Sequence, residues 1–512
     1  MKLLPRLALA ALAGGAAVFG MAPFDCWPLL LAALGVFAWA VDGTADRPRP
    51  KRTAALTGWA FGFAYFAGGF YWVGEAFYVD PATIWMMPFA VTLLPAGMAL
   101  YYALAAAAAR AFPQRGAAFA LVFAAVFAAT EFLRGWLFTG FPWNLFGTSF
   151  IGSGFDQGAA VTGLYGLTLA ALIAGFGLYP LLAARGWRRA VPLGFGLLLL
   201  GGSYAYGQLR EPTPTPTGTH LRIVQPDNPQ SEKALPDYRR RLWQRLMALT
   251  LEPGAQSVDI FVWPEGVTPF LMEETPEALE VIGQALEPRQ ILIAGSVRRQ
   301  QFTGGTRYYN SLFVVDGAGQ IAAAYDKAHL VPFGEYMPFP EAFRALGIAS
   351  LNARVADAFT PGPGPQTLKI GDLPAFSALI CYEALFPAAV VGADQPRPAW
   401  LANITDDSWF GTQTGPWQHL TNARFRAIEE GLPLIRAATT GVSAVIDSDG
   451  RLVIASGLGE AVKLDAALPG ARPPTPFSRY GHSGFWLLLA LALALGLSLT
   501  ERPFSVKDLK KI

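Results

Sequence analysis

Long apolar segments are the feature that most constrains the fold of this chain. A helix needs about 20 apolar residues to cross the roughly 30 Å hydrocarbon layer of a bilayer. Seven such segments lie in the first 206 residues and an eighth lies near the C-terminus; they are 7–23, 27–41, 54–73, 83–108, 117–138, 159–184, 190–206 and 483–499. Backbone groups in lipid must be hydrogen-bonded internally, which a helix achieves. We therefore predict a polytopic α-helical membrane bundle of about eight transmembrane helices.

The first apolar segment has a second interpretation. It is short, as is the next one, and Pro23 and Asp25 lie between them. The two segments could form a helical hairpin, or the first could be a signal peptide. No small-x-small cleavage site precedes a polar mature start, and this favours the hairpin.

The charges of the loops predict the orientation of the bundle, because basic residues near helix ends favour the cytoplasm. Basic residues cluster at the N-terminus, in every second loop and in the C-terminal tail, whereas the first and third loops carry Asp25, Glu75 and Asp80. We expect both termini in the cytoplasm and the stretch after the seventh helix outside, which in a bacterium is the periplasm. The formal net charge of +2 gives no broad basic field, so nucleic-acid binding is not indicated.

The composition changes between the seventh and eighth segments. The whole chain is 53% hydrophobic and only 15% charged, but residues 207–475 have the composition of a soluble protein. We predict five regions: a transmembrane bundle at 1–206, a Pro/Thr-rich linker at 207–219, an extracytoplasmic domain at 220–475, a transmembrane helix at 483–499 and a cytoplasmic tail at 500–512.

Strand-like and helical stretches alternate within the soluble domain. The strand-like runs include "HLRIVQP", "VDIFVWPEG", "RQILIAGSV", "FSALICYEALFP" and "AWLANITDDSWF". A helix is predicted at about 416–430, because Pro416 suits the first turn of a helix and Gly431 suits its end. Asp316 and Gly317 mark a hairpin turn. This alternation predicts an α/β or α+β fold in which helices cover buried sheets.

Two charged residues lie within the fifth apolar segment. Glu131 and Arg134 are three positions apart and therefore share one face of a helix. We expect a local ion pair near the outer interface, and a substrate contact is the alternative.

Three strand-like runs end in a chemically reactive residue. Glu265 follows "DIFVWP", Lys327 follows "IAAAYD" and Cys381 follows "FSALI". Each residue alone has an ordinary explanation, because a lone buried Cys is usually an inert small hydrophobe and a lone Glu or Lys is usually a solvated loop residue. Three such residues at strand ends, where α/β folds commonly build their active sites, favour a catalytic role over these ordinary explanations.

Cys381 is better explained as a nucleophile than as half of a disulfide. The other cysteine, Cys26, lies beside the first apolar segment, and an oxidising compartment favours paired cysteines. A carboxylate such as Glu265 can take the thiol proton and return it to a leaving group. An ammonium such as Lys327 can lower the thiol pKa and stabilise an oxyanion. Of the four histidines, His329 alone lies near a candidate residue in sequence.

Four motifs carry a resemblance to a known family. They are "WPEG", "YDKAHLVPFGEYMP", "CYE" and "GPWQHLTNARFRAIEEGLPLIRAATTGVSAVID". Together they resemble the nitrilase (carbon-nitrogen hydrolase) superfamily, which has a Glu–Lys–Cys triad and an αββα sandwich. The last three motifs, set among eight apparent spans, resemble the bacterial apolipoprotein N-acyltransferases. The resemblance covers nearly the whole chain.

The resemblance implies an acyl transfer that uses no cofactor and no metal. An acyl chain would move from a phospholipid, typically phosphatidylethanolamine, to Cys381 as a thioester, and then to the α-amino group of the diacylglyceryl-cysteine of an apolipoprotein. Glu265 would be the general base and Lys327 the oxyanion stabiliser. The implied location is the bacterial cell inner membrane. Positions that match auxiliary or substrate-binding residues are Glu335, Tyr382, Glu383 and Trp409.

The chain departs from the family pattern at three positions. Ala234 in "QPDNPQSEKA" stands where a Trp is expected, so a neighbour such as Trp243 would have to replace it. Asp406 stands where Asn is usual, and Thr439 stands where Asn precedes Thr-Gly. These departures concern substrate contacts and leave the triad intact.

Three other functions are alternatives to this acyl transfer. A membrane-tethered amidase would use the same triad on a small amide, with water as acceptor, and would release free acid and ammonia. A transporter with an accessory domain lacks the usual intramembrane charges and paired repeats. An inactive scaffold for lipoprotein sorting would not need an intact triad.

Overall fold

The computed structural model describes residues 1–79, 81–183, 186–345 and 358–499. The predicted cytoplasmic tail at 500–512 and the acidic loop residue Asp80 lie outside the described residues. The chain forms two compact units. The first contains Met1–Tyr71, Met86–Leu209 and the chain from Tyr480, and the second contains Trp72–Trp85 and Arg210–Arg479.

The first unit is helical. Its helices are α1 (Leu3–Ala17), α2 (Trp27–Asp42), α3 (Pro50–Gly69), α4 (Met87–Ala109), α5 (Gly116–Arg134), α6 (Ala159–Phe176), α7 (Leu178–Ala183) and α8 (Val191–Leu209), and α14 (Ser483–Ser498) returns to this unit at the end of the chain. Each of the eight predicted spans coincides with one of these helices, with α7 continuing the sixth span. The α-helical membrane character is therefore confirmed.

The number of spans is less sharply defined than their positions. In the described part of the chain, five helical stretches are long and apolar enough to cross a bilayer; they are Leu3–Gly20, Thr83–Ala109, Gly116–Arg134, Phe155–Leu182 and Trp187–Leu209. The helices Trp27–Asp42 and Ser483–Ser498 are apolar but shorter. The count of about eight is thus approximate.

The predicted ion pair within α5 is present. Arg134 Nη2 lies 2.7 Å from Glu131 Oε2, and neither side chain is exposed to solvent. The Arg134 guanidinium also lies over the ring of Phe66, 5.4 Å from its centroid. The pair is enclosed by the bundle, because most of the surface of α5 packs against other helices of this unit.

The second unit contains two six-stranded sheets. The strands are β1 (His220–Gln225), β2 (Ile260–Val262), β3 (Ile291–Phe302), β4 (Gly305–Asp316), β5 (Ile321–Asp326), β6 (Thr367–Leu368), β7 (Phe376–Ile380), β8 (Trp400–Thr405), β9 (Leu434–Ala438), β10 (Ala444–Ile446), β11 (Leu452–Ala455) and β12 (Val462–Ala467). The first sheet has the order β12-β1-β2-β3-β4-β5 and the second has the order β11-β10-β9-β8-β7-β6.

The remaining helices connect or follow these strands. They are α9 (Tyr238–Thr250), α10 (Pro276–Ala285), α11 (Pro340–Ala345), α12 (Gly415–Glu430) and α13 (Pro476–Tyr480). The helix predicted at 416–430 is therefore confirmed as α12, which ends at Gly431 in the left-handed conformation (φ 65°) that favours glycine.

Three apolar clusters show that the sheets form a sandwich covered by helices. One cluster joins the inner faces of both sheets, for example Ile223 and Val262 with Ala378 and Ile404. A second cluster packs α9 and α10 on the outer face of the first sheet, and a third packs α12 on the outer face of the second sheet. The layer order is αββα, as the resemblance implies.

Parallel pairing brings several strand ends to the same edge of each sheet. In the first sheet β2 runs parallel to β3, and β5 shares this direction because β4 is antiparallel to both of its neighbours. In the second sheet β7, β8 and β9 are parallel. The residues that follow β2 and β5 therefore emerge at one edge of their sheet, and those that follow β7 and β8 emerge at one edge of theirs.

Candidate active site

Cys381 directly follows β7 and begins a short 3₁₀ helix, Cys381–Leu385. Its φ of 49° lies in the left-handed region, which a non-glycine residue rarely adopts. Holding such a residue costs about 1–3 kcal/mol, and this strain is found mainly at functional sites. Cys381 is buried, and its thiol interacts electrostatically with Glu265 and Lys327. The backbone of Cys381 is therefore held in an uncommon conformation, and its thiol lies within electrostatic range of a carboxylate and an ammonium.

Glu265 follows β2 and accepts three hydrogen bonds. The donors are Asn310 Nδ2 at 2.6 Å, the Asp406 backbone N–H at 2.7 Å and Lys327 Nζ at 3.2 Å. Gly295 on the neighbouring strand β3 makes room for this turn, because a Cβ there would lie 2.5 Å from the Glu265 Cα. The carboxylate is thus oriented by groups from three separate strands or loops.

Lys327 follows β5 and bridges two carboxylates. Its Nζ donates to Glu265 Oε1 at 3.2 Å and to Glu335 Oε1 at 3.0 Å, and its side chain is 1% exposed. Glu335 also accepts from Asn310 Nδ2 and from the Val331 N–H, both at 2.7 Å. An ammonium has three N–H groups, so within the described residues these two contacts leave one N–H for a further acceptor.

Burial and charge tune the three central residues. Burial raises the pKa of Glu265 above its ordinary value, although Lys327 opposes the shift. Burial disfavours the charge of Lys327, but Glu265 and Glu335 outweigh it and raise the pKa of Lys327. Burial and then Glu265 raise the pKa of the Cys381 thiol. Lys327 lowers the pKa of the thiol, but burial and Glu265 outweigh it. A base must therefore take the thiol proton as the sulfur attacks, and Glu265 is the neighbouring carboxylate.

Glu383 and Tyr382, which follow the nucleophile in sequence, contact neighbouring residues of the sandwich. Glu383 accepts from the backbone N–H groups of Ile380 (2.7 Å), Ala328 (2.8 Å) and His329 (3.1 Å), and from the hydroxyl of Tyr325 (2.7 Å). Glu383 thereby ties the turn after β7 to the turn after β5. The Tyr382 ring packs against His329 and Phe386. These contacts are those of a brace for the site, and a role in substrate binding stays a prediction.

Trp409 lies on a loop that also contacts Glu265. It ends a short 3₁₀ helix, Asp407–Trp409, and the residue is 41% exposed. Lys233 Nζ lies 5.8 Å from the centroid of the Trp409 ring and 3.2 Å from Asp406 Oδ2. Because the Asp406 N–H donates to Glu265, Trp409 sits next to the active-site edge, where an exposed aromatic ring can contact an apolar substrate.

Two departures from the family pattern contact each other. The Thr439 hydroxyl donates to Asp406 Oδ1 at 2.6 Å, and the Ser408 backbone N–H donates to the same oxygen at 3.1 Å. That Trp243 replaces the Trp expected at position 234 stays a prediction; Trp243 lies on α9. Its ring packs against Trp263 and Phe270 in the cluster between α9 and the first sheet.

Sequence reasoning did not identify four polar residues of this region. Asn310 on β4 bridges Glu265 and Glu335. His419, Asp407 and Arg436 form a fully buried cluster behind Cys381. Burial opposes the charge of Asp407, but Arg436 and His419 outweigh it and lower the pKa of Asp407. His419 and Arg436 lie within the fourth family motif, which the sequence analysis quoted without assigning them a role. The other signal was polar residues inside otherwise apolar strands and helices, which also occurs in ordinary cores.

Comparison with known proteins identifies a family for each of the two units, and both agree with the resemblance described from the sequence. Residues 13–177 match the family described as Apolipoprotein N-acyltransferase N-terminal domain, and residues 224–469 match the Carbon-nitrogen hydrolase family. A protein named apolipoprotein N-acyltransferase from Rhodopseudomonas palustris is 38% identical over 97% of this chain and 96% of its own length. A relative of the same name from Bradyrhizobium diazoefficiens is 40% identical over 96% of this chain and 94% of its own.

Among solved structures, an amidase from Nesterenkonia sp. AN1 is similar over 55% of this chain and 99% of its own length, with 15% identity and a TM-score of 0.35. The two curated relatives match almost end to end, across both the helical unit and the sandwich. The chain therefore belongs to the apolipoprotein N-acyltransferase family, the membrane-embedded acyltransferases of the nitrilase superfamily.

Proposed function

We propose that this protein transfers an acyl chain from a phospholipid, with phosphatidylethanolamine as donor, to the α-amino group of the diacylglyceryl-cysteine at the N-terminus of a lipoprotein. The transfer proceeds through a thioester on Cys381. The observation that carries the proposal is the convergence of Glu265, Lys327 and a conformationally strained Cys381 at the ends of three strands.

In the first half-reaction the Cys381 sulfur attacks the ester carbonyl carbon of the phospholipid. Glu265 takes the thiol proton as the carbon–sulfur bond forms. The remaining N–H of Lys327 donates to the oxyanion of the tetrahedral intermediate. The carbon–oxygen ester bond then breaks, Glu265 returns the proton to the departing glycerol oxygen, and the lysophospholipid leaves.

In the second half-reaction the α-amine of the lipoprotein attacks the thioester carbonyl. Glu265 takes a proton from the amine, the carbon–nitrogen bond forms and the carbon–sulfur bond breaks. The proton passes to the sulfur and restores the thiol. Because the first product leaves before the second substrate enters, the kinetics are ping-pong. Asn310 and Glu335 hold Glu265 and Lys327 in place through both halves, and Trp409 and Tyr382 are proposed to contact substrate.

The proposed setting is the bacterial inner membrane, with the domain at 220–475 on the periplasmic side and both termini in the cytoplasm. Loop charges support this orientation. Both proposed substrates are lipids whose reactive groups lie near a bilayer interface, so an enzyme anchored in the same membrane meets both.

The test is the intact mass of the purified protein after incubation with phosphatidylethanolamine and no acceptor. We expect the mass to rise by one acyl group, and neutral hydroxylamine to remove it. Addition of a diacylglyceryl-cysteine peptide should convert the adduct to an N-acylated peptide. Cys26→Ala should behave like the parent protein and Cys381→Ala should show no adduct.

Two results would overturn the proposal. Acyl transfer by Cys381→Ala would exclude the covalent mechanism. Release of free acid and ammonia from a small amide, with no adduct from phospholipid, would instead identify a membrane-tethered amidase.

A further inference from the structure

His419 on α12 contacts the backbone of the nucleophile. Its Nε2 lies 3.2 Å from the carbonyl oxygen of Cys381, and the ring is completely buried. A carbonyl oxygen can only accept a hydrogen bond, so Nε2 must carry a hydrogen and donate it. The contact is to the main chain of Cys381, whereas the carboxylate with the largest electrostatic effect on its thiol is Glu265. His419 is therefore placed to hold the nucleophile, whereas Glu265 is placed to deprotonate it.

Two charged groups hold the His419 ring from its other side. Nδ1 lies 2.9 Å from Asp407 Oδ1 and 3.1 Å from Arg436 Nη2. Arg436 Nη2 also donates to Asp407 Oδ2 at 2.6 Å, and Arg436 Nη1 donates to Asn403 Oδ1 at 2.6 Å. Asn403 and Arg436 belong to the paired strands β8 and β9. The orientation of the imidazole is thus fixed by the second sheet.

The same loop reaches the general base. Asp407, which contacts His419, directly follows Asp406, whose backbone N–H donates to Glu265 Oε2 at 2.7 Å. One peptide unit therefore separates the group that orients Glu265 from the group that orients His419. Through His419 this loop is connected to the carbonyl of Cys381. The arrangement fixes the position of the nucleophile relative to that of its base.

A second residue of α12 holds the far end of the nucleophile turn. Arg426 Nη1 donates to the carbonyl oxygen of Leu385 at 2.8 Å. His419 and Arg426 are seven residues apart and so lie on one face of the helix. The 3₁₀ helix Cys381–Leu385 is held by α12 at both its first and its last residue.

We propose that His419 is a positioning residue that keeps Cys381 in its left-handed conformation and the thiol in reach of Glu265. The proposal rests on the proposed function for its link to acyl transfer, but the placement of the thiol can be tested without any acyl substrate. A misplacement of about 1 Å can lower a rate about 100-fold, so loss of the donor at Nε2 should be visible in the reactivity of Cys381.

The test compares two amides at this position in a Cys26→Ala background. In His419→Gln the amide nitrogen can occupy the place of Nε2 and still donate to Cys381. In His419→Asn the amide nitrogen occupies the place of Nδ1, and the donor to Cys381 is lost. Arg424→Gln is the matched control, because Arg424 also lies on α12 and donates to the Gly450 carbonyl, away from the nucleophile.

Two rates are measured for each variant: alkylation of Cys381 by iodoacetamide, and formation of the thioester from phosphatidylethanolamine. We expect His419→Asn to slow alkylation at least 10-fold and thioester formation at least about 100-fold. His419→Gln should keep at least a tenth of the parent rate in both assays, and Arg424→Gln should match the parent. Thermal unfolding in detergent reports whether each variant is folded.

The outcomes separate this proposal from the proposed function. If neither the parent protein nor any variant forms a thioester, the acyl-transfer proposal fails. The alkylation rates still test the role of His419 in that case. A folded His419→Asn that is alkylated at the parent rate overturns the positioning role. So does a folded His419→Gln that is as slow as the Asn variant. If both variants fail to fold while Arg424→Gln folds, His419 acts in folding and the proposal is also overturned.

Discussion

Lys327 serves two carboxylates at once, and this sharing sets the charge of the site. Glu265 and Glu335 both lie within 3.2 Å of its ammonium, and Asn310 donates to both of them. Without the cation, two acidic groups would face each other across a single amide in a buried place. Like charges in such a place raise each other's pKa. The lysine therefore keeps Glu265 available as a base, in addition to its proposed contact with the oxyanion.

The first prediction at this scale concerns the base. Glu265→Gln should lower the rate of thioester formation about 10²–10⁴-fold, because general base catalysis is worth about that much. The amide has the same shape, so the variant should remain folded. Glu277→Gln, an exposed change on α10, is the control and should match the parent. Intact-mass time courses measure both. A Glu265→Gln rate above a tenth of the parent rate would remove Glu265 from the mechanism.

The second prediction concerns pH. Glu265 must be ionised to accept the thiol proton, and its pKa is raised by burial. The rate of thioester formation should therefore fall as the pH decreases, with a midpoint above the ordinary range of a carboxylate. Lys327 lowers the pKa of Glu265, so Lys327→Ala should move this midpoint to higher pH and lower the plateau about 10²–10³-fold. An unchanged midpoint in Lys327→Ala would mean that the fall in rate at low pH reports the titration of a group other than Glu265.

At the scale of secondary-structure elements, the close approach of β3 to the turn after β2 decides whether the site can form. A Cβ at Gly295 would lie 2.5 Å from both the Glu265 Cα and the Gly266 nitrogen. These are backbone atoms, which cannot rotate away as a flexible side chain can. The glycine thus permits the strand spacing that places Glu265 near Lys327.

Gly295→Ala should accordingly displace the turn that carries Glu265. We expect thioester formation to fall at least about 100-fold, as for other displacements of catalytic groups by about 1 Å. Gly218→Ala is the matched control, since no atom lies within 4 Å of a Cβ built there. The measurement is again the intact-mass time course, accompanied by thermal unfolding. Equal rates for the two alanine variants would show that the turn adapts without cost.

The same scale shows what the sequence could and could not reveal about the fold. Most sheet strands and the helix α12 were predictable because apolar runs and end signals mark them. The long polar arms of β3 and β4 were missed, since the hairpin between Phe302 and Gly305 is exposed and lacks an apolar pattern. The final strand β12 was also missed. Its burial is mostly intermediate, and its partner β1 lies at the other end of the domain.

Only part of the candidate site could be predicted from apolar runs in the sequence. Glu265, Lys327 and Cys381 each follow an apolar run, so their place at strand ends could be inferred from order along the chain. Asn310 and His419 act from the middle of a strand and of a helix. Their function depends on distances across the sandwich, which no local pattern encodes.

At the scale of the whole molecule, the charges of the loops predict one orientation in the membrane. Loop charges predict that both termini face the cytoplasm and that residues 207–475 face outside. Single cysteines introduced at residue 300 and near residue 45, in a background with both Cys26→Ala and Cys381→Ala, should be labelled from opposite sides by a membrane-impermeant maleimide. Labelling of residue 300 from the cytoplasmic side would invert the predicted topology.

A second whole-molecule feature is the segment Trp72–Trp85, which belongs to the second unit although it lies between α3 and α4. The Trp72 ring packs against Phe410 and donates from Nε1 to Gln418 Oε1 at 3.2 Å, and it is 4% exposed. Truncating a buried Trp to Ala usually costs about 3–5 kcal/mol. Trp72→Ala should therefore lower the thermal unfolding midpoint of the sandwich. The midpoint is measured by limited proteolysis of the protein in detergent at increasing temperature. Tyr78→Ala, an exposed aromatic in the same segment, is the control, and equal midpoints would contradict the expected role of Trp72.

The pairing of β1 with β12 has a consequence for how the protein is made. His220 lies opposite Ala467, so the first strand of the sandwich stays without its antiparallel partner until almost the whole domain has been synthesised. Domains generally fold as units as the ribosome delivers them. The first sheet is therefore completed only when the chain has been synthesised nearly to α14. An arrest of translation before residue 462 would leave β1 as an open sheet edge, which could pair with other chains.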